Sequence, residues 1–306
     1  MAGGTYGEQV PATAPPPADA VVVVDKPAGM TSHAVVSRVR RIAGTRKVGH
    51  AGTLDPMATG VLVLGVGRAT RLLGHLMTGI KGYEATIRLG ESTSTDDAEG
   101  ESLAVVDATG LDPEDVATAL RAFVGDIEQR PSAVSAIKVD GQRAYARVRA
   151  GEQVDLPARP VTVESIDVRE VRTLPPYVDV ELSVTCSAGT YVRAIARDLG
   201  EALGVGGHLT MLRRTRVGQF TLDGARTLEE LQSDYRPVPL SEAARRSFAS
   251  VEVDEQTATA VRHGRTLPGR ALPAAPVVAL FDPAGQFLAL YEQRGADARA
   301  VAVFVG

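Results

Sequence analysis

The sequence has little of what would place the protein in a membrane, in a disulfide framework or at a cysteine-ligated metal. Among its 306 residues there is one cysteine, Cys186, which excludes an intrachain disulfide and a zinc site built from cysteines alone. No apolar run approaches the roughly 18 residues that a membrane-spanning helix needs. The N-terminus has no basic-then-apolar signal-peptide pattern, so a cytoplasmic location is predicted.

Several widespread catalytic motifs are also missing. The sequence contains no phosphate-binding P-loop and no glycine-rich dinucleotide fingerprint after a predicted strand. Its five histidines have no metal-ligand spacing, and no serine has the strand–turn–helix context of a hydrolase nucleophile. Any chemistry must therefore use a carboxylate, a tyrosine or an arginine.

The charge of the chain is strongly divided along its length. The net charge is −4, yet residues 26–54 hold six basic and no acidic residues, whereas residues 91–115 hold nine acidic and no basic residues. Such a division fits a protein that holds a polyanion on one face, although solvated surface explains charge runs equally well. The basic block that would contact a phosphate backbone consists of Arg38, Arg40, Arg41, Arg46 and Lys47.

The apolar patterning predicts an α+β protein of about two domains. Short strands and helices are present, but they do not alternate in the βαβ rhythm, which favours a mixed or antiparallel sheet over a doubly wound one. Residues 1–19 are rich in Ala and Pro and are predicted to be a disordered leader. The main domain then covers 20–245, with a basic loop or hairpin insertion at 126–160, and 250–306 forms a small all-β unit.

Asp55 is the best candidate for a catalytic carboxylate. It lies in the glycine-punctuated segment 49–60, which permits close backbone approach to a ligand. Pro56 restricts Asp55 to extended backbone angles and so fixes the direction of its side chain. The same residues also fit a carboxylate that merely caps a turn.

Three other positions each allow a functional and a structural interpretation. Tyr83 begins the apolar face of a strand and is either core or a platform on which a base stacks. Arg193 lies in the first turn of a helix and is either a surface residue or a partner that keeps Asp55 ionised. The pair Asp96-Asp97 could bind a divalent cation, but within so acidic a stretch a solvated loop is the expectation.

Two blocks of sequence together resemble the bacterial tRNA pseudouridine synthase B family. The first, Asp25–Ser32, is DKPAGMTS, and the second, Gly49–Gly60, is GHAGTLDPMATG. Their combination is highly specific to that family. Further matches follow in order, so that the resemblance covers roughly residues 20–220: Lys81–Ala85, Arg88–Gly90, Gln129, Pro131, Ser135-Ala136, Lys138, Gly189–Arg193 and Leu212–Arg214.

The resemblance implies a fold, a reaction and roles for residues. The fold is a mixed, largely antiparallel sheet flanked by helices, followed by a PUA-like RNA-binding unit at 250–306. The reaction is the isomerisation of one uridine in the T loop of tRNA, at tRNA position 55, to pseudouridine. No metal and no organic cofactor are implied. The partner is the T arm of tRNA, with no obligatory protein partner, and a monomer is expected.

By the same resemblance, Asp55 is the nucleophile, attacking either C1′ of the sugar or C6 of the base. Tyr83 stacks on the flipped-out base, and Arg193 pairs with Asp55. The implied substrate-binding residues are His50, Lys26, Leu212, Arg213 and Lys138. The family often has aromatic residues where this chain has Val134 and Arg147, which makes the grip of the 126–160 insertion on RNA different from the family pattern.

Two other classes of function remain open from the residues alone. One is an RNA-binding or RNA-folding chaperone without catalysis, which an intact set of Asp55, Tyr83 and Arg193 disfavours. The other is a carboxylate-dependent hydrolase of nucleosides or sugars, which would need a second catalytic carboxylate beside Asp55.

Overall fold

The structure is a computed structural model that describes residues 19–132, 138–139, 142–143 and 156–305. The helices of this part of the chain are α1 (Ser32–Ile42), α2 (Leu73–Leu76), α3 (Pro113–Arg121), α4 (Val192–Ala202), α5 (Leu228–Ser233), α6 (Leu240–Ser247) and α7 (Glu255–Arg262), with short 3₁₀ turns at Gly67–Arg71 and Leu222–Gly224.

The strands of the first half of the chain are β1 (Ala20–Lys26), β2 (Val48–Ala51), β3 (Thr59–Val66), β4 (Lys81–Leu89), β5 (Glu91–Thr93), β6 (Ser102–Val105), β7 (Gly125–Gln129), β8 (Lys138–Val139) and β9 (Gln142–Arg143). Those of the second half are β10 (Arg159–Leu174), β11 (Tyr177–Cys186), β12 (Gly207–Val217), β13 (Phe220–Thr221), β14 (Val238–Pro239), β15 (Ala249–Glu252), β16 (Val278–Phe281), β17 (Phe287–Arg294) and β18 (Asp297–Val303).

The main domain is built on a ten-stranded mixed sheet of order β14-β1-β3-β12-β4-β11-β10-β7, with β2 paired to β3 and β13 to β12. All of its pairings are antiparallel except β3 with β12. At that parallel contact Gly60 has φ +96°, and a Cβ atom there would lie 2.2 Å from the carbonyl oxygen of Arg214. Only glycine therefore allows the two backbones to approach so closely. The mixed, largely antiparallel α+β fold is confirmed.

The sheet has a hydrophobic core on each of its two faces, which explains the run of four valines in β1. Because side chains alternate along a strand, Val22 and Val24 join the core under α1, α3 and α4. Val21 and Val23 join the opposite core, where the C-terminal unit packs.

Local signals in the sequence begin the helices that flank the first core. The hydroxyl of Thr31 accepts a hydrogen bond from the backbone N–H of Ala34 and so starts α1. Asp112 caps α3, whose first residue is Pro113. These short-range interactions are the ones that the sequence pattern predicted.

The C-terminal unit is a four-stranded sheet of order β15-β16-β17-β18, as expected, with one short helix, α7, added to it. Phe281, Phe287 and Phe304 pack in one core with residues of β1 and β3. The guanidinium of Arg68 also donates a hydrogen bond to the backbone oxygen of Phe304. The unit thus packs on the face of the main sheet that is opposite to α1, α3 and α4.

The loop or hairpin predicted for 126–160 is too long at both ends. Residues 125–129 form β7 and residues 159–163 begin β10, and the two strands pair antiparallel at the edge of the main sheet. One face of this part of the antiparallel sheet is solvated, and the resulting polar composition is also typical of a loop. Val134, Arg147 and residues 1–18 of the predicted leader lie outside the described residues.

A tight contact inside the fold gives a test of its packing. Gly200 lies in the interior of α4, and a Cβ atom there would lie 2.1 Å from the backbone of Gly206 and Gly207. Helical glycine is normally about 1 kcal/mol worse than alanine, but here the added methyl overlaps backbone. We expect Gly200→Ala to lower the free energy of unfolding by about 1–3 kcal/mol, measured by chemical denaturation.

The matched control is Gly74→Ala in α2, where a Cβ atom would meet nothing within 4 Å. This variant should be neutral or slightly stabilised. Equal effects of the two substitutions would contradict the close packing of α4 on the start of β12.

Candidate active site

A cavity of about 240 Å³ opens at the surface of the main sheet. Its walls come from the β2–β3 loop, the start of β4, the segment that leads into α4, and the middle of β12. The lining residues are Gly52, Thr53, Leu54, Asp55, Met77, Lys81, Tyr83, Gly189, Thr190, Tyr191, Val192, Arg193, Leu212 and Arg214.

Lys26 holds the loop that presents Asp55. This lysine is fully buried at the end of β1, and its Nζ donates hydrogen bonds to the backbone oxygens of Pro27, Met30 and Pro56 at 2.8, 2.7 and 3.1 Å. The Asp-Lys-Pro block and the loop that follows β2 are therefore tied together by one ammonium group. Burial lowers the pKa of Lys26 to about 8, with the Asp55 carboxylate opposing that shift.

Two further groups fix the same loop. The Ser32 hydroxyl donates to the Leu54 oxygen at 3.0 Å and accepts from the Leu54 N–H at 2.9 Å. The guanidinium of Arg214, which is 1% exposed, donates to the backbone oxygens of Gly52, Thr53 and Val61. The backbone on either side of Asp55 is thus held in place from beneath, while the carboxylate projects into the cavity.

Asp55 forms an ion pair with Arg193. Arg193 Nε lies 3.1 Å from Asp55 Oδ2; the Asp55 side chain is 35% exposed and the Arg193 side chain 5%. Arg193 Nη1 also lies 3.4 Å from Asp97 Oδ2 and donates to the backbone oxygen of Thr95 at 2.8 Å. One guanidinium therefore joins the exposed carboxylate to a buried one behind it.

Asp97 is a part of the site that the sequence analysis missed, because the expectation of a solvated loop is wrong there. Asp97 is 2% exposed and accepts hydrogen bonds from the Thr95 hydroxyl and the Glu99 backbone N–H. Asp96 turns away with φ 60° and pairs with Arg197. The threonines that precede Asp97 were the available signal, since their hydroxyls can satisfy a buried carboxylate.

The charges around Asp55 act in opposite directions. Burial raises the pKa of the Asp55 carboxyl, the Arg193 guanidinium lowers it, and the carboxylate of Asp97 raises it again. The net result is a pKa above that of an ordinary aspartate, although the arginine keeps the carboxyl more ionised than burial alone would.

Tyr83 forms one wall of the cavity and is 8% exposed. Burial raises the pKa of its hydroxyl, and the nearby guanidinium of Arg214 opposes the shift only in part. The phenol is therefore protonated at neutral pH, with its ring between the hydrophobic core and the cavity.

The structure does not bring all of the predicted residues to the cavity. Leu212 lines it together with Asp55, Tyr83 and Arg193. Arg213 points elsewhere and pairs with Asp25 at 2.7 Å, while the neighbouring Arg214 lines the cavity instead. The other predicted binding residues stand as follows: Lys26 lies beneath the loop, His50 lies in β2 with its ring 5.4 Å from that of His33, and Lys138 lies in β8.

The predicted basic block lies at the surface on α1 and the turn that follows it. Arg40, Arg41, Arg46 and Lys47 are exposed, and Arg38 is partly buried and donates to Gln232. This surface is called the α1 basic face below. Within the described ranges no helix is long and apolar enough to cross a membrane, and no group of three or more His, Cys, Asp and Glu side chains is placed to hold a metal ion.

Comparison with known proteins identifies the fold. Solved structures of similar fold include an H/ACA RNP bound to a substrate RNA containing 2′-deoxyuridine (TM-score 0.71, 26% identity, 94% of this chain and 85% of that chain) and a Cbf5-Nop10-Gar1 complex (TM-score 0.70, 27% identity, the same coverage). The fold is thus that of the pseudouridine synthases of the Cbf5 and TruB type.

Family models match nearly all of the main and C-terminal units. They are the N-terminal domain of TruB family pseudouridylate synthase at residues 40–192, the tRNA pseudouridylate synthase B C-terminal domain at 193–246, and tRNA pseudouridine synthase II, C terminal, at 248–305.

Curated relatives match over almost their whole length. The tRNA pseudouridine synthase B of Streptomyces griseus subsp. griseus is 55% identical over 94% of this chain and 97% of its own, and that of Thermobifida fusca is 55% identical over 94% and 99%. The chain belongs to the TruB family of pseudouridylate synthases, and it is an isomerase that converts uridine to pseudouridine in tRNA.

The ion pair predicts a change in the titration of Asp55. Because the Arg193 guanidinium lowers the pKa of Asp55, we expect Arg193→Gln to raise that pKa further. The acidic limb of the pH–rate profile should move to higher pH in the same direction, since less carboxylate is ionised at a given pH. Carboxyl NMR titration of Asp55 measures the shift directly.

Arg197→Gln is the matched control for this experiment. Arg197 lies on the same helix and pairs with Asp96 and Asp198 rather than with Asp55. Its loss should leave the pKa of Asp55 unchanged. Equal shifts in the two variants would mean that Arg193 has no specific effect on the carboxylate.

Proposed function

We propose that Asp55 is the nucleophile of the isomerisation, and that its substrate is one uridine in the T loop of tRNA, flipped out of the folded loop into the cavity. The observation that supports this proposal best is the ion pair of Asp55 with a buried arginine, at the edge of a cavity walled by Tyr83. A carboxylate that faces the cavity and is paired with a guanidinium is suited to covalent attack.

The size of the cavity supports a single flipped nucleotide. At about 240 Å³ it lies just below the roughly 300–1,000 Å³ of sites for drug-sized ligands, so a duplex cannot enter. Flipping costs a few kcal/mol, and the ring of Tyr83 can offset that cost by stacking on the base. Leu212 closes the apolar wall next to it.

The isomerisation requires the base to be released, rotated and rejoined within the cavity. In one route Asp55 forms a bond to C1′ while the N1–C1′ bond breaks and its electron pair remains on the base. In that route C5 of the rotated base then bonds to C1′, the Asp55–C1′ bond breaks, the C5 proton is lost and N1 takes up a proton. In the other route Asp55 adds to C6, and the C5=C6 electron pair moves onto C5 and O4. The N1–C1′ bond then breaks, C5 bonds to C1′, N1 takes up a proton, and loss of the C5 proton restores the C5=C6 bond and expels Asp55 from C6. Both routes need an ionised Asp55, and in both the protonated phenol of Tyr83 can donate a hydrogen bond or orient a proton at C5.

A hydrolase mechanism is less well supported, because it needs a second catalytic carboxylate that reaches the substrate. The neighbouring carboxylate, Asp97, is buried and occupied by Arg193 and Thr95. Release of tritium from 5-tritiated uridine in tRNA separates the three functions: release at one uridine per tRNA supports the isomerase, no release supports a chaperone, and free uracil supports the hydrolase.

We further propose that RNA is gripped by the α1 basic face and by the segment between β7 and β10, with the C-terminal PUA-like unit as a second RNA contact. The boundaries 20–245 and 250–306, a monomeric state without an obligatory protein partner, and a cytoplasmic location belong to the same proposal. The proposal keeps Arg213 and His50 as substrate-binding residues, which lie near the cavity and do not line its wall.

The nucleophile is tested by removing its carboxylate. We expect Asp55→Ala and Asp55→Asn to abolish tritium release while tRNA binding stays within about tenfold of wild type, because phosphate contacts supply most of the affinity. The control is Asp107→Asn, an exposed carboxylate that bonds only to Thr109, which should leave turnover intact. Substantial turnover by the alanine variant would overturn the assignment of Asp55.

The α1 basic face is tested by the salt dependence of binding. Replacing Arg40, Arg41 and Arg46 together with Gln should weaken tRNA binding and flatten the log–log salt slope by up to about one unit per lost phosphate contact. Turnover at saturating tRNA should change less, since these residues lie outside the cavity. An unchanged slope would place the main RNA contact elsewhere. The control is Arg121→Gln on α3, which measures how far the loss of one exposed arginine outside this face weakens binding.

A further inference from the structure

The cavity contains a buried cation to which the proposed mechanism gives no role. Lys81 lies in the cavity wall and is 8% exposed. Its Nζ donates one hydrogen bond, to the backbone oxygen of Met77 at 3.3 Å, and no carboxylate of the described residues forms an ion pair with it. An ammonium group has three donors, and a buried charge without a counter-charge is unfavourable. The site is therefore electrostatically incomplete without an anion.

The position of Lys81 shows which part of a nucleotide it can reach. Lys81 and Tyr83 are two residues apart on β4, so their side chains leave the same face of the strand, roughly 7 Å apart along it. Leu212, which pairs with Ala85, lies beyond Tyr83 on the far side. A base stacked on Tyr83 and bounded by Leu212 thus leaves the Lys81 end of the cavity for the rest of the nucleotide.

That end of the cavity is also open to solvent. Met77 and Ile80, which precede Lys81, are 41% and 39% exposed. A nucleotide that enters a cavity while still joined to its RNA must leave its backbone at the mouth. The phosphates are therefore the groups that pass closest to the Lys81 ammonium.

Two more features of the wall suit an anion. The hydroxyl oxygen of Thr190 is buried, and the Cys186 thiol lies within hydrogen-bonding reach of it. The 11-residue helix α4 begins at Val192, and the side chain of its N-cap residue, Tyr191, makes no capping hydrogen bond, while the Gln129 side chain accepts the Tyr191 N–H. Free backbone N–H groups and the helix dipole favour negative charge at such a terminus.

We propose that Lys81, together with the Thr190 hydroxyl and the N-terminus of α4, forms a subsite for a backbone phosphate of the flipped nucleotide. The proposal rests on the proposed function, since it takes a flipped uridine as the occupant of the cavity. A phosphate fits better than an oxygen of the base because it has a full negative charge, whereas the uracil oxygens of the bound substrate are neutral. Lysine binds phosphate as a compact point charge.

The titration of Lys81 agrees with this assignment. Burial and the nearby Arg214 guanidinium lower the pKa of the Lys81 ammonium. A phosphate beside it would favour the charged form and raise the pKa again.

The test compares two enzymes on two kinds of T-arm hairpin RNA: one with ordinary phosphates, and one with a neutral methylphosphonate on the 5′ or the 3′ side of the target uridine. Lys81→Met should weaken binding of the ordinary hairpin roughly ten- to hundredfold and lower the salt slope by about one. The wild-type enzyme should lose a similar factor on one of the two methylphosphonate hairpins. The Lys81→Met enzyme should bind that methylphosphonate hairpin as tightly as it binds the ordinary hairpin.

Lys47→Met provides the matched control. Lys47 lies on the α1 basic face, so its loss and the methylphosphonate should act additively. Lys81→Arg should retain most of the binding, and Thr190→Val should lose less than Lys81→Met but in the same direction. Lys81→Gln and the melting temperature of each variant show whether a loss of binding reflects loss of folding.

Two results would overturn the proposal. Additive losses for Lys81→Met on both methylphosphonate hairpins would mean that Lys81 contacts neither phosphate. Unchanged binding with a reduced kcat would place the ammonium on an oxygen of the base. The readout is binding, so it is separate from the test of Asp55: failure of the proposed function shows as turnover by Asp55→Ala, and failure of the phosphate subsite shows as additivity.

Discussion

The contact on which the site depends is the bridge that the Arg193 guanidinium makes between two carboxylates. Asp55 faces the cavity, and Asp97 is buried behind the arginine with its own hydrogen bonds from Thr95 and Glu99. Asp97 orients the guanidinium and balances part of its charge, which leaves one edge of Arg193 for Asp55. A buried arginine paired only with a reacting carboxylate would have no fixed position when that carboxylate is consumed in a covalent bond.

The loop around Asp55 is rigid for a related reason. Lys26 and Arg214 are buried cations that donate to backbone oxygens beneath the loop rather than to carboxylates. Backbone acceptors have no net charge, so these cations keep a positive field around the cavity. That field favours an ionised Asp55, and it suits a polyanionic substrate even though the whole protein has a net charge of −4.

Much of the fold could be predicted from local patterns because those patterns act over a few residues. The caps Thr31 and Asp112, the alternation in β4 and β11, and the valine run of β1 each correspond to an element of the structure. Strand β7 and the start of β10 were not predicted because one face of this part of the sheet is solvated, so their polar composition is also typical of a loop. Helix α7 was not predicted either, because short apolar runs dominate its segment and such runs are typical of strands.

The sequence by itself determined the family, through the combination of the Asp25–Ser32 and Gly49–Gly60 blocks, and with it the candidate residues Asp55, Tyr83 and Arg193. Only the tertiary structure showed that Asp97 completes the ion pair, that Arg214 rather than Arg213 lines the cavity, and that Lys81 is buried there with no ion-pair partner among residues 19–132 and 156–305. The physical reason is that a charge run gives no information on burial. Whether an acidic or basic side chain is solvated or enclosed depends on strands and helices that are distant in the sequence, and those contacts form only when the sheet is assembled.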